Sequence, residues 1–127
     1  MNHWILTFSF FLILFLFLFL EFSNWYSKNS ISSFQLVSLM NRKSVLLIDC
    51  REKEFYLRGH IIGSNNFSLS DNDVFFKKYL KKTIILICEN GKISSKYVLF
   101  LKKKGYLDVQ FLEGGIVAWI NFGFPLV

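Results

Sequence analysis

Proline occurs once in this 127-residue chain and glycine only seven times, so a collagenous or low-complexity protein is excluded. An apolar content of 53% excludes intrinsic disorder. Cysteine is scarce too. Cys50 and Cys88 are too few for a disulfide framework, and with only His60 beyond the N-terminal apolar segment they fall short of a four-ligand zinc site. No metal or cofactor is therefore expected. Acidic residues are outnumbered nine to fifteen by Lys and Arg, for a net charge of +6. The length suits one packed domain and excludes two full catalytic ones.

Charge is missing altogether from residues 5–20, where ILTFSFFLILFLFLFL holds fourteen Leu, Ile or Phe. Insertion of such a run into a bilayer is favoured by about −6 kcal/mol. Residues 4–20 make a helix of ~25 Å, at the short end of what spans a hydrocarbon core. Trp4 on one side and Trp25 with Tyr26 on the other are placed as interfacial anchors. A cleaved signal peptide is the rival, but no Lys or Arg precedes the run and no small-x-small cleavage site follows it. The reading is a transmembrane anchor over residues 1–22, a polar linker over 23–30 and a domain over 31–127. Lys28, Arg42 and Lys43 all follow the run, so the positive-inside bias places a single-pass protein in the inner membrane with its domain facing the cytoplasm. Both thiols would be reduced there.

The remainder reads as one α/β domain. Ser32 or Ser33 can cap a helix to about Asn41, with Phe34, Val37 and Met40 on one side. Residues 45–50 (VLLIDC) and 83–88 (TIILIC) are short apolar runs of the kind buried on both faces of a parallel sheet. Helices are expected over 51–58, closed by Gly59, over 74–80, capped by Ser70 or Asp71, and over 93–104, where Ile93, Tyr97 and Leu101 lie four apart. Residues 109–112 read as a last strand and 116–122 as a closing helix. Strands alternating with helices predict a doubly wound sheet with ligands beyond the C-terminal ends of its strands. Lysines cluster at 77, 78, 81 and 82 and again at 102–104; they suit solvated helix ends better than contact with anionic lipid, and no nucleic-acid motif is present.

Cys88 sits at such a strand end, and Cys88, Glu89, Asn90, Gly91, Lys92, Ile93 and Ser94 lead from strand to helix. A turn of this kind aims backbone N–H groups at the sulfur, backed by the helix dipole. A sulfur held there can attack a sulfur donor and keep the transferred atom as a persulfide anion without a His base or a metal. Asp49 and Glu52 read as a helix-capping pair, and Cys50 and Trp119 as core.

Several motifs in fixed order resemble a known family. Asp49-Cys50-Arg51, then Gly59-His60-Ile61, Gly63-Ser64 and Asn66, is similar to the rhodanese-like pattern D-x-R followed by G-H-I-x-G-[AS]-x-N. Cys88-x-x-Gly91, Gly105-Tyr106, Leu112-Glu113-Gly114-Gly115 and Trp119 resemble its C-x-x-G loop, G-[FY] and L-x-G-G-x-x-x-W. With the anchor, the chain resembles the membrane-tethered single-domain bacterial rhodanese-like proteins of the YibN type. The resemblance implies a five-stranded parallel sheet flanked by helices, Cys88 as the persulfide-bearing nucleophile, and Arg51 and Asp49 in support of its loop. It implies a small sulfur donor such as thiosulfate or a persulfide, and a thiol acceptor. The family's strand order also places Cys50 beside the strand that ends in Cys88.

Two departures qualify that activity. Members active on thiosulfate commonly carry Arg five residues after the cysteine, and here that position is Ile93; Lys92 beside it is a point charge without Arg's forked geometry. Glu89 opposes negative charge on the sulfur if its carboxylate points inward. Phosphatases of this fold carry Arg six residues after the cysteine, where this chain has Ser94. The rival function is a non-catalytic docking module at the membrane.

Overall fold

In the computed structural model, which describes residues 2–67 and 81–127, five parallel strands form one sheet in the order β1-β5-β4-β2-β3. The strands are β1 (Ser30–Ile31), β2 (Leu46–Asp49), β3 (Asn65–Asn66), β4 (Ile84–Ile87) and β5 (Val109–Leu112). The helices, among the described residues, are α1 (His3–Asn29), α2 (Ser33–Arg42), α3 (Lys53–Arg58), α4 (Lys92–Lys103) and α5 (Gly115–Asn121). The architecture is the α/β sheet that the alternating pattern predicts. The helix expected over 74–80, its caps Ser70 or Asp71, and Lys77 and Lys78 lie outside the described residues.

Every residue of β2 and β4 is buried, as their unbroken apolar runs require. Side chains alternate between two cores. Leu46, Ile48, Ile84, Leu86 and Phe111 meet Val98 and Leu101 of α4 on one face. Leu47, Ile85, Ile87 and Leu112 meet Leu36 of α2 and Ile116 and Trp119 of α5 on the other. Each such side chain contributes about 1.5–3 kcal/mol by leaving water.

Helix α2 begins with a complete capping box, in which the Gln35 N–H donates to Ser32 Oγ (3.2 Å) and Gln35 Oε1 accepts from the Ser32 N–H (3.0 Å). Its inner face is centred on Leu36, with Val37 and Met40 beside it. Phe34, which the spacing puts on one side with Val37 and Met40, is exposed and meets Phe122 and Phe124 edge to face. Helix α4 is likewise rotated from the expected stripe. It buries Ser94, Val98 and Leu101, while Ile93 is 57% exposed. The reason lies at its N-terminus, where Ser94 is drawn toward a sulfur atom.

Helix α1 is 27 residues long with a mean hydropathy of 2.6 in its most apolar stretch, long and apolar enough to cross a membrane. Residues 23–30 differ from the linker that their polarity suggests. They contain neither Gly nor Pro, and the helix continues through Asn29 into β1. Trp25 and Tyr26 pack on Phe111, with ring centroids 6.4 and 5.4 Å away. Asn29 is buried, its Oδ1 accepts from the Lys102 ammonium, and the Gln110 amide donates to the Lys28 carbonyl (3.3 Å). Contacts to β5 and α4 thus hold the last turns helical where local composition alone does not.

Candidate active site

Strand β4 ends at Ile87, and Cys88 follows at its C-terminal edge. The chain then turns through Gly91, which has φ +88° and caps α4. A side chain is strained in that conformation. The turn aims the Gly91 N–H at Cys88 Sγ (2.8 Å), and the Ser94 hydroxyl donates to the same sulfur (3.2 Å). Both donors lie at the positive end of the α4 dipole. Cys88 is only 3% exposed. The sulfur is therefore screened from water yet provided with donors, an arrangement that stabilises negative charge on it.

The other side of the loop is fastened to α5. Cys88 O accepts from the Ile116 N–H (2.9 Å) and Glu89 O from the Val117 N–H (3.1 Å). These carbonyls occupy the free amides at the start of that helix. Contact this close requires glycine at 115, where an added Cβ would lie 2.3 Å from Cys88 O and 2.7 Å from the Glu89 carbonyl carbon. Leu112-Glu113-Gly114-Gly115 is thus the seat of the cysteine loop.

Asp49 ends β2, and Arg51 follows two residues later. Asp49 is fully buried, and its carboxylate takes the Arg51 guanidinium through both oxygens at 2.9–3.2 Å and the Arg51 N–H at 3.0 Å. Arg51 also donates to Gly59 O (2.7 Å), and Asn66 donates to Asp49 O and Arg51 O (3.1 and 2.7 Å). The capping pair expected of Asp49 and Glu52 does not form; Glu52 precedes α3 without a side-chain cap, because Asp49 is committed to Arg51. From that buried pair Arg51 Nη1 reaches to 3.7 Å from Glu89 Oε2. The Glu89 side chain is 60% exposed, so its charge faces Arg51 and solvent instead of turning inward. Lys92 and Ile93 point to solvent, and Asn90 Oδ1 accepts the Lys92 N–H (3.1 Å).

Cys50 lies across from Cys88, one step beyond the paired Asp49 and Ile87, and its N–H donates to Ile87 O (2.8 Å). Burial pushes its thiol up to about 12, reinforced by the charges of Cys88 and Asp49 and opposed by the Ile87 backbone contact. His60 stacks on Tyr56 with centroids 3.9 Å apart, and its Nδ1 lies 2.9 Å from Tyr56 O, a structural arrangement. Trp119 is buried and donates to Pro125 O (3.0 Å). Among the described residues no cluster of His, Cys, Asp and Glu is arranged to hold a metal.

The Rhodanese-like domain family model matches residues 34–122. The chain belongs to the rhodanese-like family. Thiosulfate sulfurtransferase GlpE of Pseudoalteromonas translucida is 32% identical over 90 residues, covering 70% of this chain and 86% of that protein. The uncharacterized protein YibN of Escherichia coli is 29% identical over 93 residues, covering 70% of this chain and 65% of that one. Among solved structures, a rhodanese-related protein from Thermoplasma volcanium superposes with a TM-score of 0.65 at 30% identity, over 78% of this chain and 97% of the other. The rhodanese-like domain here thus has relatives that are sulfurtransferases.

A cleft of about 210 Å³ opens between the end of α1 and the cysteine loop, lined by Phe22, Trp25 and Tyr26 on one side and by Gly91 and Lys92 on the other. Trp25 and Tyr26 read in sequence as interfacial anchors. Only the pairing of two-residue β1 with β5 brings them to the loop, and so short a strand leaves no periodic signal.

Proposed function

We propose that the chain is a membrane-anchored sulfurtransferase or persulfide carrier that holds sulfur on Cys88. The observation that carries the reading is the pair of donors on Cys88 Sγ, the Gly91 amide and the Ser94 hydroxyl, at the head of α4. The Cys88 thiolate attacks the sulfane sulfur of thiosulfate. A new S–S bond forms, the sulfur–sulfur bond of the donor breaks, and sulfite leaves with the electron pair. A persulfide donor reacts in the same way, with its thiolate as leaving group. The amide and hydroxyl donors then stabilise the persulfide anion. Asp49 and Arg51 act as positioning residues for Glu89 and the loop. Helix α1 anchors the protein as a single pass in the inner membrane, and Lys28, Arg42 and Lys43 favour a cytoplasmic domain.

The sequestered sulfur and the solvent-facing Ile93 favour one alternative, a docking module with lost chemistry. The two separate by intact mass of the full chain in detergent after exposure to thiosulfate or a persulfide donor. One added sulfur, absent in Cys88→Ser, supports the carrier. No adduct with either donor supports the docking module.

A further inference from the structure

We infer that the anchor helix forms one wall of the acceptor site, so that the cleft beside the cysteine loop seats an amphiphilic thiol with an aromatic or bulky apolar body and an anionic group. The inference rests on the sulfurtransferase reading and extends it to the second substrate.

Position comes first. Gly91, whose N–H donates to Cys88 Sγ, also lines the cleft, so the cleft adjoins the loop that holds the sulfur although Cys88 itself is not among its lining residues. Composition follows. Phe22, Trp25 and Tyr26 of α1 and Phe111 of β5 supply aromatic surface. Lys92 is the one charged side chain among the described lining residues, and no carboxylate is among them. An apolar body against the rings and an anion toward Lys92 satisfy both halves of the cleft. The volume, about 210 Å³, is on the scale of one ring, since a cavity of roughly 150 Å³ accepts benzene.

The wall is also held in place before any substrate arrives. Trp25 and Tyr26 pack on the buried Phe111, and Phe22 stacks on Trp25 with centroids 6.3 Å apart. Burial first, and the Glu113 carboxylate beside it, hold the Tyr26 phenol above its ordinary range. Phe22 follows the uninterrupted apolar run by two residues, or ~3 Å along the helix. The cleft therefore opens where hydrocarbon gives way to water, a level at which amphiphiles concentrate. In the transfer step the acceptor thiolate attacks the outer sulfur of the Cys88 persulfide. The new bond joins acceptor sulfur to outer sulfur, the S–S bond at Cys88 breaks, and Cys88 departs as thiolate with the electron pair. The acceptor becomes the persulfide, and no oxidant or reductant is consumed.

The test uses the full chain in phosphatidylcholine nanodiscs with Cys88 preloaded with sulfur. Two carboxylated alkyl thiols serve as probes, 4-(mercaptomethyl)benzoate with a ring and 3-mercaptopropionate without one. The expected kcat/KM favours the ring-bearing thiol about tenfold, chiefly through KM. In Phe22→Ala and Trp25→Ala the preference falls toward one. Phe22 is exposed and supports no core, so its variant folds even if Trp25→Ala does not. A ratio near one in the wild type, or a ratio unchanged by Phe22→Ala, overturns the wall while leaving sulfur transfer intact. Failure of Cys88 to load at all overturns the sulfurtransferase reading and the inference with it.

Discussion

Glycine 115 offers a sharp test of how the cysteine loop is held. Gly63 and Gly115 both have positive φ, +79° and +60°, so alanine at either position adopts a left-handed conformation at a cost of about 1–2 kcal/mol. Their surroundings differ. A Cβ at Gly63 meets nothing within 4 Å, whereas one at Gly115 lies 2.3 Å from Cys88 O and 2.7 Å from both carbonyl atoms of Glu89. Those atoms belong to backbone and cannot swing aside. The loop must back away from α5, breaking the hydrogen bonds from Ile116 and Val117, each contributing about 1 kcal/mol. Together with about 1–3 kcal/mol of overpacking, Gly115→Ala costs roughly 4–7 kcal/mol against about 1–2 for Gly63→Ala. In thermal unfolding of the full chain in one detergent, the Gly63 variant should lose about 4–16 °C and the Gly115 variant more than about 15 °C or the folded state itself. Sulfur loading of Cys88 should survive in the first and fail in the second. Equal shifts in the two variants would refute the account of the loop as seated on α5.

Arg51→Ala should destabilise the domain by about 3 kcal/mol or more, because it leaves the buried Asp49 carboxylate without its partner; a urea midpoint within error of wild type would contradict this. Ser94→Ala removes one of the two donors on Cys88 Sγ, and persulfide loading should slow about tenfold at a stability cost of about 1 kcal/mol. Cys50 provides a pH signature. Its thiol is raised from 9.0 to about 12, so the folded state holds that proton more tightly than the unfolded chain. The resulting stability is whole below pH 9 and is lost as pH rises through about 12; the fall should be shallower in Cys50→Ala. For topology, Lys103→Cys provides an exposed handle on α4. An impermeant maleimide should label it only after the inner membrane is opened, and labelling of intact spheroplasts would reverse the orientation.

The sheet was readable because VLLIDC and TIILIC leave no polar side for water, which forces cover on both faces, and because Gly91 and Gly105 bracket a helix between them. The donors on Cys88 were half readable. A strand-to-helix turn implies the Gly91 amide, but the Ser94 hydroxyl arrives only because α4 is rolled to bury it in place of Ile93. Asp49 looked like a helix cap at local range and is instead one half of a buried ion pair, a role set by Gly59 and Asn66 from farther along the chain. Phe34 shared a side with Val37 and Met40 by spacing and meets Phe122 and Phe124 instead. For Phe34 the local pattern was overruled by partners brought in by tertiary structure, whereas for Asp49 it was overruled by Arg51 two residues on, held in turn by Gly59 O and Asn66.

The passage from Asn29 to Ser30 takes α1 into the sheet with no slack residue between them. A domain moored that way has no swivel. If α1 spans the bilayer as proposed, the sulfur would ride at one altitude above the lipid and face one compass bearing relative to its own stem, so a partner embedded in the same bilayer would meet it by drifting in the plane and turning about the normal, with much of the rotational entropy that docking ordinarily forfeits already gone before contact.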